Sequence, residues 1–146
     1  MPPAGNPSQN SNLKFKIKLL RRAFRRSQQS IRYGHQAVER SPVLFANSFP
    51  KSGTHLLIQV MEGFSRIGPA VKSGLSAVVT FDGNSGRKRD SAEILADLQR
   101  LLPGDIAYGH LHAEAELIDV LCSPTFASYL ILRDPRDVVV SHVHYI

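Results

Sequence analysis

Apolar residues along this chain follow two different rhythms. In residues 13–38 they recur at helical spacing, as Leu13, Ile17, Leu20 and Phe24 with Ile31 two turns further on, and Lys or Arg fill the positions between. That pattern predicts a basic amphipathic helix, whose ordinary use is to pack its apolar stripe on its own domain and leave its charges in water. The opening run Leu13-Lys14-Phe15-Lys16-Ile17-Lys18-Leu19 also alternates strictly, so a strand remains open there.

Beyond Ser41, short apolar runs alternate with helical patterns. Strands are expected at 43–47, 105–110 and 127–132, the last as a buried strand, and residues 77–81 can form another. Helices are expected at 54–64 and 113–121, with a last one after the Asp134-Pro135 turn. Asp90 with Glu93 makes an aspartate version of a capping box ahead of Ile94, Leu95, Leu98, Leu101 and Leu102, and Pro103-Gly104 stops that helix. Asp82-Gly83-Asn84-Ser85-Gly86 reads as a loop. Such alternation predicts an α/β fold, a parallel sheet with flanking helices that binds ligands at the carboxyl ends of its strands.

Charge divides the chain the same way. Residues 1–50 hold nine Lys or Arg against one acid, a net +8, whereas residues 51–146 hold nine against eleven, a net −2. The overall +6 therefore belongs to a basic leader, residues 1–40, and gives the domain at 41–146 no nucleic-acid signature. A basic amphipathic helix at 13–38 also suits peripheral contact with an anionic membrane. Residues 1–12, rich in Pro, Asn, Ser and Gln, have the composition of a disordered segment. The single cysteine, Cys122, excludes an internal disulfide and is expected to be a small buried hydrophobe. Without a signal-like start or a spanning run, the expected location is cytoplasmic.

Three segments carry chemistry, each just after a predicted strand. Phe49-Pro50-Lys51-Ser52-Gly53-Thr54-His55 lies between a strand and a helix, where successive N–H groups can converge on an anion. Gly53 allows close backbone approach, Lys51 supplies charge, and Ser52 and Thr54 add hydroxyls. This is not a Walker A loop, because the lysine precedes the glycine by two residues instead of following it. In Leu132-Arg133-Asp134-Pro135-Arg136-Asp137, Arg133 ends a strand and Ser141 lies about two turns into the next helix. An arginine there can fork onto a phosphate; Arg133–Asp137 or Arg136–Asp134 ion pairs around a turn are the simpler use. The third segment, Tyr108-Gly109-His110-Leu111-His112, ends a strand with a histidine suited to proton transfer near neutral pH.

Together the first two segments resemble the phosphate-binding segments of the PAPS-dependent sulfotransferases. In that family the loop usually reads Pro-Lys-Ser-Gly-Thr-Thr-Trp and the second segment Arg-Asn-Pro-Lys-Asp-x-x-x-Ser. The Arg-to-Ser spacing is kept between Arg133 and Ser141. The resemblance covers about residues 43–146 and implies a sulfotransferase-like fold built around the phosphate loop. It implies that Lys51, Ser52, Gly53, Thr54, His55 and Leu56 hold the 5′-phosphosulfate of PAPS and that Arg133 and Ser141 hold its 3′-phosphate. His110 matches the family's catalytic base in a Lys-Thr-His-Leu-Pro segment, with His112, Glu114 and Glu116 in reserve. The implied reaction is transfer of a sulfuryl group to a hydroxyl or amine acceptor, a small molecule, glycan or lipid, without a metal. His55 and Leu56 replace the usual Thr-Trp, and Asp134 replaces Asn. Family members are about twice as long, with a later Arg-Lys-Gly-x-x-Gly-x-Trp-Lys segment, so the expectation is an N-terminal part of such a domain, truncated and weakly active or inactive. The alternatives are a P-loop kinase or NTPase, and a non-catalytic adaptor working through its basic helix.

Overall fold

The computed structural model describes residues 7–144. Helix α1 (Pro7–Tyr33) takes up most of the basic leader, so the strand alternative at 13–19 is not realised. It begins at Pro7, inside the stretch whose composition suggested disorder; residues 1–6 lie outside the described residues. Gly34, at φ 90°, breaks the helix, and a short α2 (His35–Arg40) leads into the sheet.

The core is a parallel sheet. Strand β1 (Val43–Ser48) lies between β4 (Asp105–His110) and β5 (Phe126–Ile131). The two-residue strands β2 (Val71–Lys72) and β3 (Val78–Val79) both pair with β4. All four ladders run parallel. Helices α3 (Thr54–Ile67), α4 (Ser91–Gln99), α5 (Ala115–Leu121) and α6 (Pro135–Val143) complete the chain.

Strand alternation sends successive side chains to opposite faces, and two packed layers follow from it. Val43 and Phe45 of β1 join Ala107 of β4 and the α4 and α5 residues Ile94, Leu98 and Leu117 on one face. Ala46 and Ile106 meet Met61 of α3 on the other. Phe45 and Met61 are fully buried, each contributing about 1.5–3 kcal/mol of transfer free energy. The chain thus leaves β1 for a helix on one face and leaves the adjacent β4 for a helix on the other. That divergence opens a crevice at the carboxyl ends of β1 and β4, where open α/β sheets bind ligands.

Several expectations need correction. Strand β5 is an edge strand, and Leu130 and Tyr129 are exposed instead of buried, since no further strand or helix covers that side among the described residues. Cys122 is likewise exposed, at the C-cap of α5. The capping box does not close: Asp90 occupies the N-cap of α4 without a side-chain cap bond, and Arg87 draws both carboxylate oxygens of Glu93 to itself at 3.1 Å.

The orientation of α1 is the largest correction. The helix turns its polar face inward and its apolar stripe outward. Arg22 is buried against Asp105, which is fully buried at the start of β4, and its guanidinium also reaches the Arg100 carbonyl at 3.0 Å. Arg26 bonds the Pro103 carbonyl at 2.7 Å and lies 3.6 Å from Asp105. Gln29 and Tyr33 reach the carbonyls of Ser65 and Arg66. Leu20, Phe24 and Ile31, by contrast, are 70%, 65% and 86% exposed. The physical reason is Asp105: a buried carboxylate demands charged partners, and removing them costs more than leaving apolar side chains in water.

Candidate active site

Parallel strands bring all three sequence segments to one end of the sheet. Ser48, the last residue of β1, is in register with Ile131 of β5, and Asn47 is in register with Gly109 of β4. The loop after β1 therefore has His110 on one side and Arg133 on the other.

The loop is shaped by two unusual backbone positions. Lys51 adopts φ 67°, uncommon for a residue with a side chain, and Gly53 sits at φ 105° as the N-cap of α3. A Cβ on Gly53 would meet Cδ1 of Ile131 at 3.1 Å, so the left-handed backbone and the tight fit both favour glycine. Between them Ser52 is 5% exposed, and its hydroxyl has no hydrogen-bond partner among the described residues. A buried hydroxyl in that condition costs about 1–3 kcal/mol unless a ligand or water completes it. It sits beside the N-terminus of α3, whose dipole favours an anion.

His110 is attached directly to this loop. Its Nδ1 lies 2.7 Å from the carbonyl oxygen of Ser48 and 3.3 Å from Ser48 Oγ. A carbonyl only accepts, so the proton belongs on Nδ1, and the lone pair is left on Nε2. Ser48 Oγ also meets Thr54 Oγ1 at 2.7 Å, tying the histidine to the first turn of α3. Asn47 braces the strand end from within: its side chain donates to the Leu111 carbonyl at 3.1 Å and accepts from the Leu111 N–H at 2.9 Å. Sequence reasoning missed both Ser48 and Asn47, because a polar residue closing a short apolar strand carries no signal of its own.

Two of the three reserve groups are engaged elsewhere. The ring of His112 packs edge-on against Phe81 at 5.2 Å, and the backbone N–H of His112 donates to Thr80 Oγ1 at 3.0 Å. Glu114 pairs with Lys88 at 2.9 Å and accepts from Ser91 at 2.8 Å, and Lys88 is the main reason its carboxyl is held below the usual range. That depression makes Glu114 a weaker base. Glu116 lies in the first turn of α5.

On the other flank, Arg133 donates from Nη1 to the Lys51 carbonyl at 3.5 Å, a long contact that nevertheless places the guanidinium over the loop. Its Nε is 3.7 Å from Asp137, so the expected turn ion pair exists as well. Asp134 caps α6 by accepting from the Arg136 N–H, and the Arg136 guanidinium is the leading reason its carboxyl stays below the ordinary range. The negative charge that Asp134 introduces beside Arg133 is thereby countered. Ser141 is half-buried on α6, and among the described residues no hydrogen bond joins it to Arg133. At the start of α3, Leu56 is 62% exposed, while His55 lines a cleft of about 560 Å³ with Ile58, Gln59 and Tyr108.

The geometry therefore brings the loop after β1, a histidine whose Nδ1 is held by the Ser48 carbonyl and the Arg133 guanidinium together on adjacent strand ends. In comparison with known proteins, no family model matches the chain, no curated protein matches it, and no solved structure matches it.

Proposed function

We propose that the chain is a sulfuryl-transfer domain that takes PAPS as donor and a hydroxyl or amine as acceptor. The observation that carries this reading is the buried, unpartnered Ser52 hydroxyl between Lys51 and Gly53, with His110 and Arg133 fastened to the same loop from either side. The motif resemblance supplies the donor's identity.

The residues present fit a phosphosulfate. Ser52 Oγ lacks the partner that an anionic oxygen would give it, and Gly53 holds the left-handed backbone that shapes the loop. PAPS, when bound, supplies a sulfuryl group on a phosphate leaving group. Lys51, Ser52, Thr54 and the loop N–H groups would hold that phosphate and stabilise the charge gathering on it. Arg133, with Ser141 on the following helix, would take the 3′-phosphate that separates PAPS from ATP. His110 would receive the acceptor's proton on Nε2 while Nδ1–H stays on the Ser48 carbonyl, which fixes the ring and stabilises the imidazolium formed.

Radiosulfur-labelled PAPS, offered with a panel of phenols, alcohols and amines, tests the reading. Label should move to an acceptor with the wild-type chain, and His110→Ala should lose transfer by about 10²–10⁴-fold while still binding nucleotide. Full transfer by His110→Ala would overturn the base assignment. A folded wild-type chain that neither binds nor consumes PAPS would overturn the reading as a whole.

A further inference from the structure

The reaction proposed for the strand ends makes no use of α1, yet α1 is the most unusual surface of the molecule. At 100° per residue, Leu13, Ile17, Leu20, Phe24 and Ile31 fall within a sector of about 60°. The residues that fasten the helix to its domain, Arg22, Arg26, Gln29 and Tyr33, fall on the opposite side. The apolar stripe runs outward for about 27 Å along the helix, at 1.5 Å per residue. All five of its side chains are exposed. Most amphipathic helices bury such a stripe; here Asp105 has claimed the polar face instead.

Charge identifies what the stripe fits. α1 contains eight Lys or Arg and no Asp or Glu. Three of the arginines face the domain, with Arg25 bonded to the Lys72 carbonyl alongside Arg22 and Arg26. Lys16, Arg21 and Arg32 remain exposed, flanking the stripe. A second copy of the chain would set these like charges against one another across the stripe, which disfavours self-pairing. A layer of anionic headgroups over an apolar interior complements both features at once. No helix among the described residues is long and apolar enough to cross a membrane, so the mode is interfacial.

We infer that α1 is a surface anchor that lays Leu13, Ile17, Leu20, Phe24 and Ile31 into the headgroup region of an anionic membrane. The inward Arg22 and Arg26 hold the domain on the helix's upper side. Domain packing and membrane binding thus use opposite faces of one helix, and neither has to be given up for the other.

The test is sedimentation of the full chain with vesicles of phosphatidylcholine, with and without phosphatidylserine. Binding is expected to the mixed vesicles and to fall at least ten-fold without phosphatidylserine, or in high salt. Leu20→Asp/Phe24→Asp should reduce partitioning at least ten-fold while leaving the thermal melt unchanged, because both side chains already face water. Lys16→Glu/Arg21→Glu should give a similar loss and stands in if the first variant folds poorly. No binding to mixed vesicles would overturn the inference, as would full binding by the folded Leu20→Asp/Phe24→Asp chain. A dimer in ultracentrifugation that the same variant dissociates, without vesicle binding, would assign the stripe to a second copy and equally overturn it.

Discussion

The two ends of β4 carry opposite kinds of polar group. At its amino end Asp105 is fully buried, accepts from the Leu102 N–H at 2.9 Å and is clamped by Arg22 and Arg26 from α1. At its carboxyl end His110 is half-buried and bonded to a loop whose neighbouring hydroxyl, Ser52, is unpartnered. The lower end has every charge matched, and its product is attachment of the leader to the sheet. The upper end is left incomplete, and incompleteness in a buried polar site is what a ligand can exploit. The two arginines make the same point: Arg22 is buried and fully engaged, whereas Arg133 makes only long contacts and keeps much of its donor capacity.

The contrast breaks most visibly at the lower end. Asp105→Ala leaves Arg22 buried without its carboxylate and is expected to cost about 3–5 kcal/mol, read from urea unfolding. His110→Ala, five residues along the same strand, should leave unfolding within about 1 kcal/mol of wild type, since it removes only a partly exposed ring and its bonds. Similar losses from both substitutions would erase the distinction between the ends.

Gly53→Ala lies between these extremes. Its left-handed backbone and the 3.1 Å approach of Ile131 predict a loss of about 1–3 kcal/mol, together with loss of 3′,5′-adenosine bisphosphate binding. Arg133→Ala should instead leave stability unchanged and weaken the bisphosphate about ten-fold, with little effect on 5′-AMP, by calorimetric titration. A smaller effect is expected of Asp137→Asn. Releasing an exposed ion pair worth less than about 1 kcal/mol should tighten bisphosphate binding by no more than a few-fold.

The smallest signal is a titration. Because Lys88 and Ser91 hold the Glu114 carboxylate, its folded pKa lies below the ordinary value. Its contribution is present above the ordinary glutamate range and is lost as pH falls through the lowered folded value. NMR of the side-chain carboxyl should place that midpoint below a model glutamate's, and an ordinary midpoint would restore Glu114 as a candidate base.

Much of the upper end was legible in the sequence because its signals are local. β1 opens on the apolar run Val43-Leu44-Phe45-Ala46 and leads into the Lys51 loop, β4 ends on His110, and parallel pairing places their ends together. The lower end was not legible. Arg22 and Asp105 are 83 residues apart, and nothing near either one announces the other. The helical spacing of Leu13, Ile17, Leu20 and Phe24 revealed a stripe but not its direction, which only the partner of Arg22 decides. Strand β2, two residues long, is too short for any alternation to register, whereas β3 falls inside the possible strand at 77–81. The run that forms β5 reads alike whether a neighbour covers it or not, hence its misassignment as a buried strand.

The ends of β1, β4 and β5 are proposed to form one site for a nucleotide bearing phosphates at both the 3′ and 5′ positions. Calorimetric titration of the folded wild-type chain with 3′,5′-adenosine bisphosphate, with ATP in parallel and no magnesium present, tests it most directly. The account predicts saturable binding of the bisphosphate, preferred over ATP and weakened by Arg133→Ala. Equal binding of ATP, or no binding of either by a folded chain, would contradict it.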